Sequence, residues 1–176
     1  ERVKEEQFSH RVMLGAKGEI AIPTVEFNLI FQLTHIYAHL MNEGIGLRQL
    51  LDYYYVLISD DLLLIRDRVQ KELKELGLWK FAGAIMYIMQ EVFGMPASRL
   101  IVPPNEKYGR FVLNEVLEAG NFGKHDERNR FGGSKLGHNL QRVYRDIRLV
   151  RYFPAEAMSE PFFRVWHFFW RLKHRR

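Results

Sequence analysis

Residues 27–57 read FNLIFQLTHIYAHLMNEGIGLRQLLDYYYVL, and this stretch decides the fold. Its spacing predicts two helices joined by Gly44-Ile45-Gly46, because apolar residues recur every three to four positions on both sides of the glycines. At 100° per residue, Asn28, Gln32, His35, His39 and Asn42 share one arc of roughly 80° on the first helix. Phe27, Leu29, Ile30, Phe31, Leu33, Ile36, Tyr37, Leu40 and Met41 cover the rest. A solvated face normally recruits Lys and Glu, whose charges are cheapest in water. An arc of Asn, Gln and His suits hydrogen bonding to something close by. The second helix carries its own stripe of Arg48, Asp52 and Tyr55, with Arg48 and Asp52 one turn apart and able to pair. If the Gly-Ile-Gly turn folds the helices back on each other, His39 lies level with Arg48 and His35 with Asp52.

Three readings of these residues compete. One is a buried structural network of Arg48, Asp52 and the histidines. Another is a pocket wall in which Arg48 is a fork donor to a phosphate or carboxylate. The third is a metal site of His35, His39 and Asp52, since histidines at i and i+4 can share an ion. The zinc-protease pattern is absent, because Ile36 and not Glu follows His35.

Working outward, residues 8–14 and 19–22 are short and alternating, and they are separated by Gly15 and Gly18. That pattern predicts a β-hairpin. An isolated hairpin is marginal in water, so a covering helix or a neighbouring sheet is expected. Thr24 is the expected cap of the first helix, 24–43. Further helices are expected over 47–58, 61–76 (capped by Ser59 or Asp60), 78–93 and 106–119. The fourth is apolar almost all round and belongs at the centre. A Gly-rich charged loop follows at 120–133. A sixth helix from Ser134 to before Pro154 should bury Leu136, Leu140, Val143, Ile147 and Val150, with Arg142, Arg145 and Arg148 outside. A seventh, 161–173, groups Phe162, Val165, Trp166, Phe169 and Trp170 opposite Arg164, His167 and Arg171. It suits either core packing or a membrane surface. The fold class is therefore mainly α: a bundle of six or seven helices (24–176) behind an N-terminal hairpin (1–23).

The bulk properties narrow the function. A chain of 176 residues makes one domain with a real core. It contains no cysteine, which removes disulfides, thiolate metal sites and a Cys nucleophile and fits a reducing cytoplasm. No signal-peptide pattern or initiator Met opens it, and the chain reads as cut from something longer. The longest apolar run, 81–89, falls short of the ~20 residues that span a bilayer. Residues 1–120 carry net charge −3 and residues 121–176 carry +8, within a total of +5. The basic third is either a solvated helix face or a surface for nucleic acid, another polyanion or an anionic membrane. The adjacent His125-Asp126 pair is a weak phosphohydrolase-like signal. Neither a P-loop ending nor a Gly-x-Ser-x-Gly motif occurs.

The segments PTVEFNLIFQLTHIYAHLMNEGIGLRQLLDYYYVL, EAGNFGKHDERNR and FPAEAMSEPFFRVWHFFWR resemble a bacterial family of uncharacterised nucleotidyltransferases, similar to the polymerase-beta-like fold. In that fold, carboxylates of a Gly-Asp-x-Asp-type motif on a small mixed sheet hold Mg²⁺. No such motif occurs here: Asp60-Asp61 lacks the glycine lead-in. The resemblance therefore implies a C-terminal helical region, with the catalytic head before Glu1 and the hairpin as the tail of its sheet. It implies Mg²⁺ and a nucleoside triphosphate for the full-length enzyme, an upstream domain as partner, an unnamed acceptor substrate, and no activity for this region alone. The substrate-binding positions it suggests are His35, His39, Arg48, Gln49 and Asp52, then Asn121, Lys124, Asp126 and Arg128. No catalytic residue and no metal ligand is expected within the chain.

Overall fold

The computed structural model describes residues 10–42, 44–119, 144, 147–154, 166–167, 169–171 and 173–174. Two strands open it, β1 (Arg11–Met13) and β2 (Glu19–Ala21), paired antiparallel with Val12 opposite Ile20. A 3₁₀ turn, Gly15–Lys17, connects them. Among the described residues five α-helices are fully delimited: α1 (Val25–Asn42), α2 (Leu47–Leu57), α3 (Leu62–Glu75), α4 (Trp79–Glu91) and α5 (Glu106–Ala119). A second 3₁₀ turn, Ala97–Arg99, lies between α4 and α5. The protein is mainly helical with a short N-terminal hairpin, as the periodicity predicts.

The helix ends have local causes. The Phe27 amide donates to Thr24 Oγ1 at 3.3 Å, satisfying one of the first-turn donors of α1. Gly44 adopts φ 92° and its N–H donates to the His39 carbonyl at 2.8 Å, closing α1 in a conformation that L side chains rarely take. Gly77 ends α3 in the same way, with φ 71°. The expected cap by Ser59 or Asp60 is not formed. The residue before α3 is Asp61, which makes no side-chain cap bond, while the Leu62 N–H donates to the Ser59 carbonyl at 3.3 Å.

The core is one cluster running through all five helices. Leu29, Leu33, Ile36 and Leu40 bury one stripe of α1, and Leu62, Ile65, Val69 and Leu73 bury one of α3. Helix α4 buries eight residues between Phe81 and Met89, as expected of a central helix. Its most extensive contact is with α5. Two glycines permit that approach. A methyl on Gly109 would lie 2.3 Å from Tyr87 Cδ1, and one on Gly83 would lie 3.1 Å from both Asn105 Cβ and the Pro103 carbonyl. The Asn105 N–H donates to the Gly83 carbonyl at 2.9 Å and locks the seam. The segment after α4 is tied to α3 by Gln70, which donates to the Ile101 carbonyl at 2.6 Å, and by Arg66, which donates to the Ser98 carbonyl.

Beyond α5, residues 147–150 are helical. Leu149 and Phe153 are buried there, and Ile147 is exposed. This corrects the expected face at Ile147; Leu136, Leu140 and Val143 of that face lie outside the described residues. Leu149 and Phe153 are one helical turn apart, and Phe153 enters an aromatic cluster with Tyr37, Phe81, Tyr108 and Phe111. Burying that pair turns Ile147 outward and leaves Val150 only half-buried. Arg148 is not outside either. It faces Glu115 of α5 at 3.4 Å, with side-chain exposures of 16% and 11%. Trp166, Phe169 and Trp170 are exposed rather than packed, with the rings of His167 and His174 stacked on Trp170.

Candidate functional site

The buried stripe of α1 fixes where its polar arc can lie. Leu29, Leu33, Ile36 and Leu40 centre about 110° from the Asn28–Gln32–His35–His39 arc at 100° per residue. The arc therefore runs along the flank of the helix instead of into the core. Asn28, Gln32 and His39 are half-buried, and His35 and Asn42 are exposed. Asn42 Nδ2 donates to the Ala38 carbonyl at 2.8 Å.

Beside this arc an aromatic ladder climbs α1 at four-residue spacing. Phe27 stacks on Phe31 with centroids 5.5 Å apart, and Phe31 stacks on His35 at 6.0 Å. His35 meets His39 edge-on at 4.3 Å, and their Nε2 atoms are 3.1 Å apart. Phe31 remains 52% exposed. The helix thus presents two aromatic rings and two imidazoles as one accessible row.

Helix α2 corrects the buried-network reading. Its buried residues are Leu50, Tyr53 and Leu57. On the wheel these centre almost opposite Arg48, Asp52 and Tyr55. Arg48 and Asp52 are accordingly exposed, as is Tyr55. Among the described residues Arg48 and Asp52 form no ion pair, and no group of three His, Cys, Asp or Glu could hold a metal ion. The His35–His39–Asp52 triad is therefore not assembled. Gln49 has a structural use: its Oε1 accepts the Gly46 N–H at 3.0 Å and fixes the start of α2.

Sequence reasoning passed over Tyr53. Its side chain is fully buried, and its hydroxyl has no hydrogen-bond partner among the described residues. Burial pushes its pKa well above the ordinary tyrosine value of 10.0. The repeat Tyr53-Tyr54-Tyr55 hides it: only its place one turn from Leu50 and Leu57 marks it as internal. Asn121, Lys124, Asp126 and Arg128 lie outside the described residues, as does most of the basic third. Arg148, which belongs to that third, is spent internally on Glu115.

The model of a family described as uncharacterised nucleotidyltransferases matches residues 4–94, just over half of the chain. The chain belongs to this family. No match to it was found among curated proteins or solved structures. The matched segment of this nucleotidyltransferase-family chain takes in the hairpin, α1, α2, α3 and α4, and with them His35, His39, Arg48, Gln49 and Asp52. Enzymes of this kind generally use Mg²⁺ and a nucleoside triphosphate. The described residues do not fit the ion, since no three carboxylates converge and Asp60 faces Arg99 at 3.7 Å. No helix among them is long and apolar enough to cross a membrane.

Proposed function

We propose that this chain is the helical region of a nucleotidyltransferase, shaping the cleft and selecting the acceptor substrate. In this reading the Mg²⁺-holding carboxylates belong to a sheet upstream of the chain, and the β1–β2 hairpin extends that sheet. The observation that carries the proposal is the family match across the hairpin and the first four helices. The hairpin's surface supports it. Val12, Met13, Leu14 and Ile20 are all exposed, and a two-stranded ribbon that buries nothing lacks a source of stability of its own.

The accessible faces of α1 and α2 give the cleft its chemistry. Arg48 supplies a planar fork of donors for a phosphate or carboxylate. His35 and Asp52 supply exposed hydrogen-bonding groups, and Phe31 a ring on which a flat substrate group can stack. Being exposed, these side chains are available to a ligand in a way that a buried network would not be. Asn121, Lys124, Asp126 and Arg128 of the Gly-rich sequence 120–133 complete the proposed substrate-binding set.

The test is the gene's complete product, assayed with each nucleoside triphosphate and Mg²⁺ for pyrophosphate release. Turnover that requires Mg²⁺ and drops at least tenfold in Arg48→Ala, at unchanged melting temperature, is the expected result. A complete product with no Gly-Asp-x-Asp-type motif would end the enzyme reading. Full turnover in Arg48→Ala, His35→Ala and Asp52→Ala alike would end the cleft role.

A further inference from the structure

We infer that His35 and His39 form a two-imidazole site for a divalent transition metal of borderline softness, such as Ni²⁺, Cu²⁺ or Zn²⁺. The site is separate from the Mg²⁺ chemistry of nucleotidyl transfer and does not depend on it. The two Nε2 atoms are 3.1 Å apart. Imidazole nitrogens bind such ions at about 2.0–2.1 Å. Two of them on one ion stand about 2.9 Å apart at a right angle and about 3.4 Å apart at the tetrahedral angle, from that bond length. The observed separation falls between these limits. The two Nε2 atoms thus already stand at a separation that one ion can bridge.

The backbone holds this arrangement. Residues four apart on a helix lie one above the other. His35 is additionally held by stacking on Phe31, itself stacked on Phe27. The pair lies on the accessible side of α1, so an ion can enter without moving the core. At present the two nitrogens are within hydrogen-bonding distance, which requires one to carry a proton and the other a lone pair. Binding an ion requires lone pairs on both. When His35 is the ring protonated at Nε2, moving that proton to its own Nδ1 frees both lone pairs with no change in the net charge of the protein.

No third His, Cys, Asp or Glu among the described residues joins the pair. Two ligands leave the remaining positions to water or to an incoming anion. Phosphate and carboxylate oxygens are ordinary occupants of such open positions. Imidazole donors also set the choice of ion: affinity should rise from Mn²⁺ through Co²⁺ to Ni²⁺ and Cu²⁺, and Mg²⁺, which prefers oxygen, should not compete.

The experiment is titration of this chain with Ni²⁺ by calorimetry, repeated in a large excess of Mg²⁺. Paramagnetic resonance of the Cu²⁺ form reads the number of coupled imidazole nitrogens. The expected result is one saturable Ni²⁺ site, unaffected by Mg²⁺, and two coupled nitrogens on Cu²⁺. His35→Ala and His39→Ala should each weaken Ni²⁺ at least tenfold and leave one coupled nitrogen. His174→Ala, at another surface histidine, should change neither reading. Circular dichroism of each variant separates ligand loss from unfolding, and His35→Asn gives a second, polar replacement at the exposed position. No saturable binding by the parent chain overturns the inference, because the 3.1 Å contact is then a hydrogen bond only. Binding that survives the double substitution of His35 and His39 overturns it equally.

Discussion

Replacing Tyr53 with Phe should stabilise the protein, and more so in alkali. The side chain is fully buried and its hydroxyl has no partner among the described residues. An unmade hydrogen bond in an apolar interior costs about 1–3 kcal/mol, the desolvation of the polar group. Phe keeps the ring and removes that cost, leaving a void the size of one oxygen that gives back part of the gain. A net stabilisation of about 1 kcal/mol is expected at pH 7, or about 2–4 °C in melting temperature for a chain of this size. The second half of the prediction is electrostatic. Burial raises the Tyr53 pKa above its ordinary value of 10.0 in the folded state. A raised pKa means that stability is intact below pH 10 and is lost as pH climbs above it, because only the unfolded chain then releases the proton. At pH 11 this group alone costs the wild type about 1.4 kcal/mol relative to pH 8. The Phe variant has no such proton, so the gap between the two proteins should widen by that amount. Urea unfolding followed by circular dichroism at pH 7, 8 and 11 measures both parts. A Tyr53→Phe protein that is less stable by more than 1 kcal/mol at pH 7, or a gap that stays constant to pH 11, would refute the reasoning.

Other substitutions test the packing and the site. Gly109→Ala puts a methyl 2.3–2.5 Å from Tyr87; despite alanine's better helix propensity, a net loss of about 2 kcal/mol is expected in thermal melts. Arg148→Ala removes the guanidinium 3.4 Å from the largely buried Glu115 and should cost about 3 kcal/mol, with much of it recovered in Arg148→Met combined with Glu115→Leu. A single variant as stable as the parent would show the pair to be solvated. Arg48→Ala should change stability by no more than about 0.5 kcal/mol, because the side chain is exposed; a steep fall in melting temperature would revive the buried-pair reading. Thr24→Ala removes the cap of α1 and should lower stability by about 1 kcal/mol by chemical denaturation.

Most of the architecture is legible in the sequence because its punctuation is local. Thr24 acts through its own hydroxyl and Gly44 and Gly77 through their own backbones, and they place the helix ends within a residue or two. What sequence leaves open is which side of a helix meets the core. Arg48, Asp52 and Tyr55 form a real stripe, yet a stripe does not announce whether it faces a neighbour or solvent. Leu50, Tyr53 and Leu57 settle that, and they do so only through their contacts. Near Phe153 the same ambiguity misleads. Ile147 and Val150 make one apolar set and Leu149 and Phe153 another, and the aromatic cluster selects the second. The candidate site is legible as residue types, and its 3.1 Å imidazole pair follows from four-residue spacing. The exposure of Arg48 and Asp52 required the fold.

The glycine seam between α4 and α5 bears on how this protein moves. With Gly109 against Tyr87 and the Asn105 amide bonded to Gly83, that pair has no room to open by degrees. Its amide hydrogens should exchange only through global unfolding, and so mark the slowest unit of the molecule. The proposed binding groups stand elsewhere, on the outer faces of α1 and α2. Local opening there can follow a ligand without disturbing the seam. A division between a fixed keel and a compliant rim would let the binding surface change in sequence while the fold is retained.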